Sequence, residues 1–410
     1  MNALPSSLPA EQRGSRRAIA FLNWAHAIDH YVMLIYPTVV IGLEVVYGRS
    51  YGELIVLSTA SFVAFGVFSL PAGWLADHWS RRNMMAAFYF GCGASLAAAG
   101  AAPNAIMLAA ALFALGMFAA IYHPVGMAML IEAARARGRT LAFNGVCGNL
   151  GAALAAGFTA VLASALGWRT AFFIPAALCL ATGIVFLRLV PDDRHRSAKR
   201  TAAPEVALSR TVALTIFALF VVVALGSGLT FNTVTVALPK IVDERLGAGV
   251  PLYLVGSIAT AVFMCGALAQ LTVGRLVEWF APHVLFAIIS GLALVGVLWS
   301  AYASGPALLA ALALTMAAIY GQVTVNDMVI ARYTADAWRG RVYAVRYFLV
   351  FVSSGAAVAA IALLHGRGGF SLVLMATAAV TAAFFVATAA IAVLVSGPEH
   401  GRARAPQPAE

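Results

Sequence analysis

Gly73-Trp74-Leu75-Ala76-Asp77-His78-Trp79-Ser80-Arg81-Arg82 is the stretch on which the fold turns. It is a short polar break that holds one carboxylate and two adjacent guanidiniums. The apolar runs on either side, 52–76 and 84–102, are each near the length a helix needs to cross the bilayer, about 20 residues for a core about 30 Å thick. A basic break this short, between two such runs, reads as a loop where the chain leaves the membrane and turns back in.

The stretch has an echo in Gly274-Arg275-Leu276-Val277-Glu278-Trp279-Phe280-Ala281-Pro282-His283. Ala119-Ala120-Ile121-Tyr122 recurs as Ala317-Ala318-Ile319-Tyr320, and Arg137-Gly138-Arg139 recurs as Arg339-Gly340-Arg341. All three pairs have nearly one offset and fall at matching places among the apolar runs. A chain built as two parallel halves of this kind fits a carrier that rocks its halves about a site near the bilayer midplane.

Composition agrees. The 410 residues are 62% hydrophobic and 10% charged, against about 25% charged in soluble domains. Too little polar surface exists to face water, so the bilayer is the solvent. Twelve spans are predicted, near 18–41, 52–76, 84–102, 105–131, 140–165, 170–190, 211–238, 251–276, 283–303, 306–331, 341–364 and 370–396. Helices close their own backbone hydrogen bonds, so the expected fold is an all-α membrane protein of two pseudo-symmetric six-helix bundles. Glycine recurs in span five (Gly145, Gly148, Gly151, Gly157), where small residues let helices approach closely.

The expected organisation is a cytoplasmic N-terminal segment (1–17), a first bundle (18–190), a cytoplasmic linker (191–210), a second bundle (211–396) and a cytoplasmic tail (397–410). With both ends inside, 21 of the 26 Lys and Arg residues fall in cytoplasmic segments. Only Arg49, Arg169, Lys240, Arg245 and Arg367 lie outside. That bias fixes the orientation. The net charge of +10 then reflects topology and attraction to anionic lipid, with no nucleic-acid partner needed. The N-terminus does not read as a signal peptide, because its apolar stretch is too long for an h-region. The four cysteines (Cys92, Cys147, Cys179, Cys265) lie in apolar runs without a CxxC pair and read as reduced packing residues.

The Gly73–Arg82 stretch resembles the loop 2–3 signature of the major facilitator superfamily, Gly-x-x-x-Asp-Arg/Lys-x-Gly-Arg-Arg/Lys. Gly73, Asp77, Arg81 and Arg82 match, while His78 and Ser80 replace a basic residue and a glycine. The resemblance implies the twelve-helix fold, alternating access, and a cavity lined by spans one, four, seven and ten. It also implies that Gly73, Asp77, Arg81 and Arg82 form a cytoplasmic gating latch, with Asp77 facing the start of span eleven near Gly340. A carboxylate there would meet the free N–H groups of a helix N-terminus.

A narrower resemblance points to the fosmidomycin-resistance branch of efflux carriers. It rests on His26-Ala-Ile-Asp29, Tyr36-Pro37, Tyr122-His123-Pro124 and Cys147-Gly148-Asn149-Leu150-Gly151. The chain departs from that branch at Val125, where the branch has glutamate, and lacks the Gly-Pro pair common in span five of drug antiporters. Substrate and direction therefore do not carry over with the fold.

Ionisable residues inside a membrane are costly and mark functional sites by default. Span one carries Asn23, His26, Asp29 and His30. At 100° per residue the first, second and fourth fall within about 60° of one another, with Asp29 beside them. Span four adds Tyr122 and His123, with Pro124 predicted to kink the helix. Span seven offers Ser227, Thr230 and Asn232; span ten offers Tyr320, Thr324 and Asp327, with Gln322 and Asn326 opposite. With Tyr36 and Arg346 these are the candidate cavity residues. Asp327 and Arg346 are expected to pair, because an isolated charge at that depth is too costly. Glu132 is expected to pair with nearby arginines.

The function expected is a secondary active transporter, not an enzyme. It would move a small organic solute across the bacterial inner membrane, most simply as proton-coupled efflux and hence drug resistance. Asp29 with His26 or His30 would carry the proton, since burial disfavours a charged carboxylate and histidine titrates in the physiological range. His26, His30, His123 and Arg346 favour an anionic or zwitterionic solute. Import of a metabolite is the first alternative. A divalent metal or metal-chelate carrier, using His26, Asp29, His30 and His123, is the second. No cofactor or resident metal is expected, and the partners are solute, protons and lipid around a monomer.

Overall fold

The computed structural model describes residues 10–134, 137–191, 210–246, 249–333 and 336–396. Among these residues every regular element is helical. In order they are α1 (Ala10–Tyr47), α2 (Tyr51–Ile55), a 3₁₀ turn (Val56–Ser58), α3 (Thr59–His78), α4 (Arg81–Ala101), α5 (Ala105–Ala119), a π-helical turn (Tyr122–Gly126), α6 (Met127–Ala133), α7 (Arg137–Leu166), α8 (Thr170–Leu189), α9 (Arg210–Arg245), α10 (Leu252–Trp279), α11 (Pro282–Tyr302), α12 (Gly305–Tyr333) and α13 (Asp336–Ser396).

Eleven described helices are long and apolar enough to cross a membrane. The last of them leaves helical geometry at Gly368 and Gly369, where Gly369 takes φ 61°. That left-handed conformation suits a residue without a Cβ. The break divides α13 into the predicted spans eleven and twelve. The predicted kink at Pro124 takes the form of the π turn, which inserts one wide turn between α5 and α6.

Local chemistry sets the helix ends. Ser50 and Glu53 form a reciprocal capping box at the start of α2. The Asn104 side chain accepts from the Met107 N–H. Ser80, standing where the superfamily signature has glycine, caps α4 by accepting from the Asn83 N–H at 3.2 Å. The motif thus stops α3 and starts α4 within a few residues.

Contacts group the chain into two compact units. The first comprises 1–199, 236–264 and 358–363; the second comprises 200–235, 265–357 and 364–410. In the first unit α1 packs on α7, α4 on α8 and on α5, and α3 on α5. Thr260 of α10 also joins it, donating to the Ala153 carbonyl at 2.6 Å while accepting the Gly157 N–H at 2.9 Å. In the second unit α11 packs on α12. Thr230 of α9 shares a hydrogen bond with Thr381 of α13 at 2.9 Å, and Ser290 of α11 shares one with Thr388 at 2.6 Å.

Large apolar side chains stand exposed along these helices, among them Leu268, Val295, Val386 and Val393. In water they would be an aggregation liability; in lipid they are the expected outer surface.

One expectation needs correcting. Span seven is expected to end near 238, but α9 continues to Arg245 and Lys240 is buried within it. Its ammonium pairs with Glu44 of α1, with Asp243 at 2.9 Å and with Glu244 at 3.7 Å, and it lies 5.6 Å from the Tyr51 ring centre. Carboxylates one turn away allow the helix to carry the lysine inward. Linker residues 192–209, the tail and Arg135 lie outside the described residues.

Candidate functional site

The first unit gathers the polar groups of α1 around the π turn. His26 and Asp29 are buried, and His30 is half-buried. One turn separates His26 from His30, so their rings meet, with Nε2 atoms 3.2 Å apart. The Nδ1 of His26 lies 2.7 Å from the Asn144 carbonyl of α7. A carbonyl only accepts, so Nδ1 carries the proton and Nε2 keeps its lone pair toward His30.

The His26 ring is held on both faces. Tyr122 stacks on it with centroids 4.8 Å apart. A Cβ at Gly148 would stand 2.6–2.8 Å from three ring atoms, so a larger residue there would force the ring to move. His123, the second residue of the π turn, reaches the same place. Its ring is 5.4 Å from that of His26 and 5.8 Å from that of His30, both edge-on, and Phe65 of α3 closes another side at 6.0 Å. Its Nε2 faces Asp29 Oδ2 at 3.4 Å. The other carboxylate oxygen, Oδ1, is buried and makes no hydrogen bond. An acceptor left in that state is expensive unless it takes up a proton or a cation.

Asn144 ties the cluster together and was missed in the sequence. Its side chain accepts from the Tyr122 hydroxyl at 3.0 Å and donates to Asn23 Oδ1 at 3.0 Å and to the Leu22 carbonyl at 3.3 Å. It is wholly buried. The available signal was an amide near the start of a glycine-rich span.

Tyr36 lies on α1 but turns to α2, donating to the Leu54 carbonyl at 2.6 Å. Of the latch residues, Arg81 bridges Asp77 at 3.0 Å and Glu132 of α6 at 2.5 Å, so the expected Glu132 pairing forms. Arg82 donates to the carbonyls of Leu187 and Val190, the free acceptors at the end of α8. A Cβ on Gly73 would come 3.3 Å from that of Pro124.

In the second unit Arg346 pairs with Asp327, as expected. Tyr320 is buried against Phe231. Ser227 and Asn232 bond to carbonyls of their own helix, and Thr230 to Gly226 and Thr381. Gln322 and Asn326 are more deeply buried than Thr324 and Asp327.

Apolar spanning helices in two homologous halves, with ionisable groups buried inside, define a polytopic membrane transporter rather than an enzyme. The chain belongs to the Major Facilitator Superfamily, whose family model matches residues 19–356. Among curated proteins it is similar to a puromycin resistance protein of Streptomyces alboniger, 32% identical over 140 residues. That match spans 33% of this chain and only 28% of the relative. Among solved structures the fold is similar to a bacterial homologue of the human lysosomal transporter Spinster. In its inward-facing unoccupied form the TM-score is 0.73 at 12% identity, covering 95% of each chain. In its occupied form the TM-score is 0.71 at 12% identity, covering 93% of this chain and 94% of that one. At such identity the likeness is one of fold alone.

Proposed function

We propose that this transporter exports a small organic solute by alternating access, driven by protons that enter through Asp29. The observation that carries the reading is the buried Asp29 carboxylate, which faces His123 with one oxygen and nothing with the other. A proton on that oxygen removes both the orphan acceptor and the charge. His26 and His30, with nitrogens facing each other, give the proton a path along α1. Efflux is supported by the resemblance to the fosmidomycin-resistance branch and by the name of the puromycin resistance relative. In the first unit the polar groups beside the proton site are Asn23, Tyr122 and His123. Arg346 is matched by Asp327, so the preference for an anionic or zwitterionic solute now rests on the three imidazoles. The setting is a bacterial inner membrane with both termini in the cytoplasm.

The test is flux in proteoliposomes carrying Asp29→Asn. The expected result is loss of gradient-driven transport with solute exchange retained at zero gradient. Gradient-driven transport at the native rate would overturn Asp29 as the proton carrier.

A further inference from the structure

We propose that His26, His30 and His123 form a binding site for one divalent first-row transition cation, held between α1 and the π turn. The inference goes beyond proton coupling and stands whether or not Asp29 carries the proton.

Each of the three imidazoles offers one ligand atom, and these atoms lie within 4.8 Å of one another. The closest pair, the Nε2 atoms of His26 and His30, are 3.2 Å apart. Two imidazoles on a tetrahedral zinc at about 2.0–2.1 Å would place their nitrogens about 3.3 Å apart. The pair already stands on an edge of that tetrahedron, and His123 reaches it by closing about 1.5 Å.

The surroundings are those a metal site needs. Ligating histidines hold their second nitrogen on a carbonyl or carboxylate, which fixes tautomer and ring direction. His26 Nδ1 is held by the Asn144 carbonyl at 2.7 Å, leaving Nε2 as a donor. His123 presents Nε2 to the Asp29 carboxylate at 3.4 Å. Tyr122 and Gly148 fix the His26 ring by its faces. The buried, unpartnered Asp29 Oδ1 supplies negative potential beside the three neutral ligands. His30 and His123 keep part of their surface uncovered, and three imidazoles leave a fourth tetrahedral position for water or for a donor atom of the solute.

Imidazole donors favour zinc, nickel, cobalt and copper, whereas magnesium and calcium demand mostly oxygen ligands. The test is calorimetric titration of tag-free protein in detergent with Zn²⁺, Ni²⁺ or Mg²⁺, together with visible absorption on adding Co²⁺. One Zn²⁺ or Ni²⁺ should bind per chain, Co²⁺ should give a tetrahedral-type spectrum, and Mg²⁺ should not compete. His30→Asn and His123→Asn should each weaken binding by roughly tenfold or more. His30→Gln repeats the test if His123→Asn fails to fold, and His78→Asn with His365→Asn should leave binding unchanged. The proposal is overturned if no transition cation binds below about 1 mM. Binding that survives His30→Asn and His30→Gln, or that disappears with His78→Asn and His365→Asn, overturns it equally. The readout is metal binding itself, so a failure here leaves the flux result on Asp29→Asn untouched, and the reverse also holds.

Discussion

Asn144 does more for the site than its distance from any charge suggests. One amide takes the Tyr122 hydroxyl and gives its protons to Asn23 and Leu22, while its own backbone carbonyl fixes the His26 tautomer. Replacing it with Leu removes three side-chain hydrogen bonds, those with Tyr122, Asn23 and Leu22, in a buried place. The expected cost is about 1–3 kcal/mol, read as a lower unfolding temperature in detergent. Gly148→Ala tests the same ring from the other side. Its methyl would press on the His26 ring at 2.6 Å, and overpacking of this kind costs about 1–3 kcal/mol. The variant should insert and fold yet lose gradient-driven flux; native flux would show that the ring can yield. At this scale the sequence was partly legible. His26, Asp29 and His30 could be read from spacing on one helix, because their spacing is a property of α1 alone. Asn144 could not, because its importance comes from which helix its face meets.

The motif at 73–82 is a set of helix ends, and each residue has a local task. Ser80 starts α4, Arg82 closes α8, and Arg81 joins the end of α3 to α6. Arg81 and Glu132 are both largely shielded, so their pair should be measurable where an exposed pair would not be. Arg81→Glu and Glu132→Arg should each lower thermal stability and transport. The double swap should recover part of both, with a coupling of about 0.5–3 kcal/mol in a double-mutant cycle. Strict additivity would remove the pair from any account of the latch. The π turn was beyond sequence reading, although the proline that accompanies it was not. Pro124 announces a missing backbone donor; whether the chain answers with a kink or a wide turn depends on the groups around it.

Over the whole molecule, most of the fold was legible, because a membrane turns hydropathy into length and length into spans. The span positions follow from that, and the gap predicted between spans eleven and twelve falls where α13 breaks at Gly368 and Gly369. Lys240 was not legible, because hydropathy places a lysine at a surface while three carboxylates hold it in the first unit. Lys240→Met, which keeps the length and removes the charge, takes the ammonium away from Glu44, Asp243 and Glu244. The ammonium is buried while its carboxylates are partly exposed, so a lower unfolding temperature is expected, and Glu44→Gln should lower it less. The orientation has its own test: Ser197→Cys, made in a Cys265→Ser background, should react with an impermeant thiol reagent only from the cytoplasmic side. Labelling from outside intact cells would invert the topology.

One strand of chain carries both His123 and Glu132, the first within the π turn and the second at the end of α6. A π turn holds one residue more than an α turn, which makes it a store of slack in an otherwise taut rod. Taking up that slack would spin the rod below it by about 100°. Such a spin would swing Glu132 away from Arg81 while His123 shifted against Asp29. Whatever occupies the imidazoles would then be geared to the grip on Arg81, with the wide turn as the clutch between them.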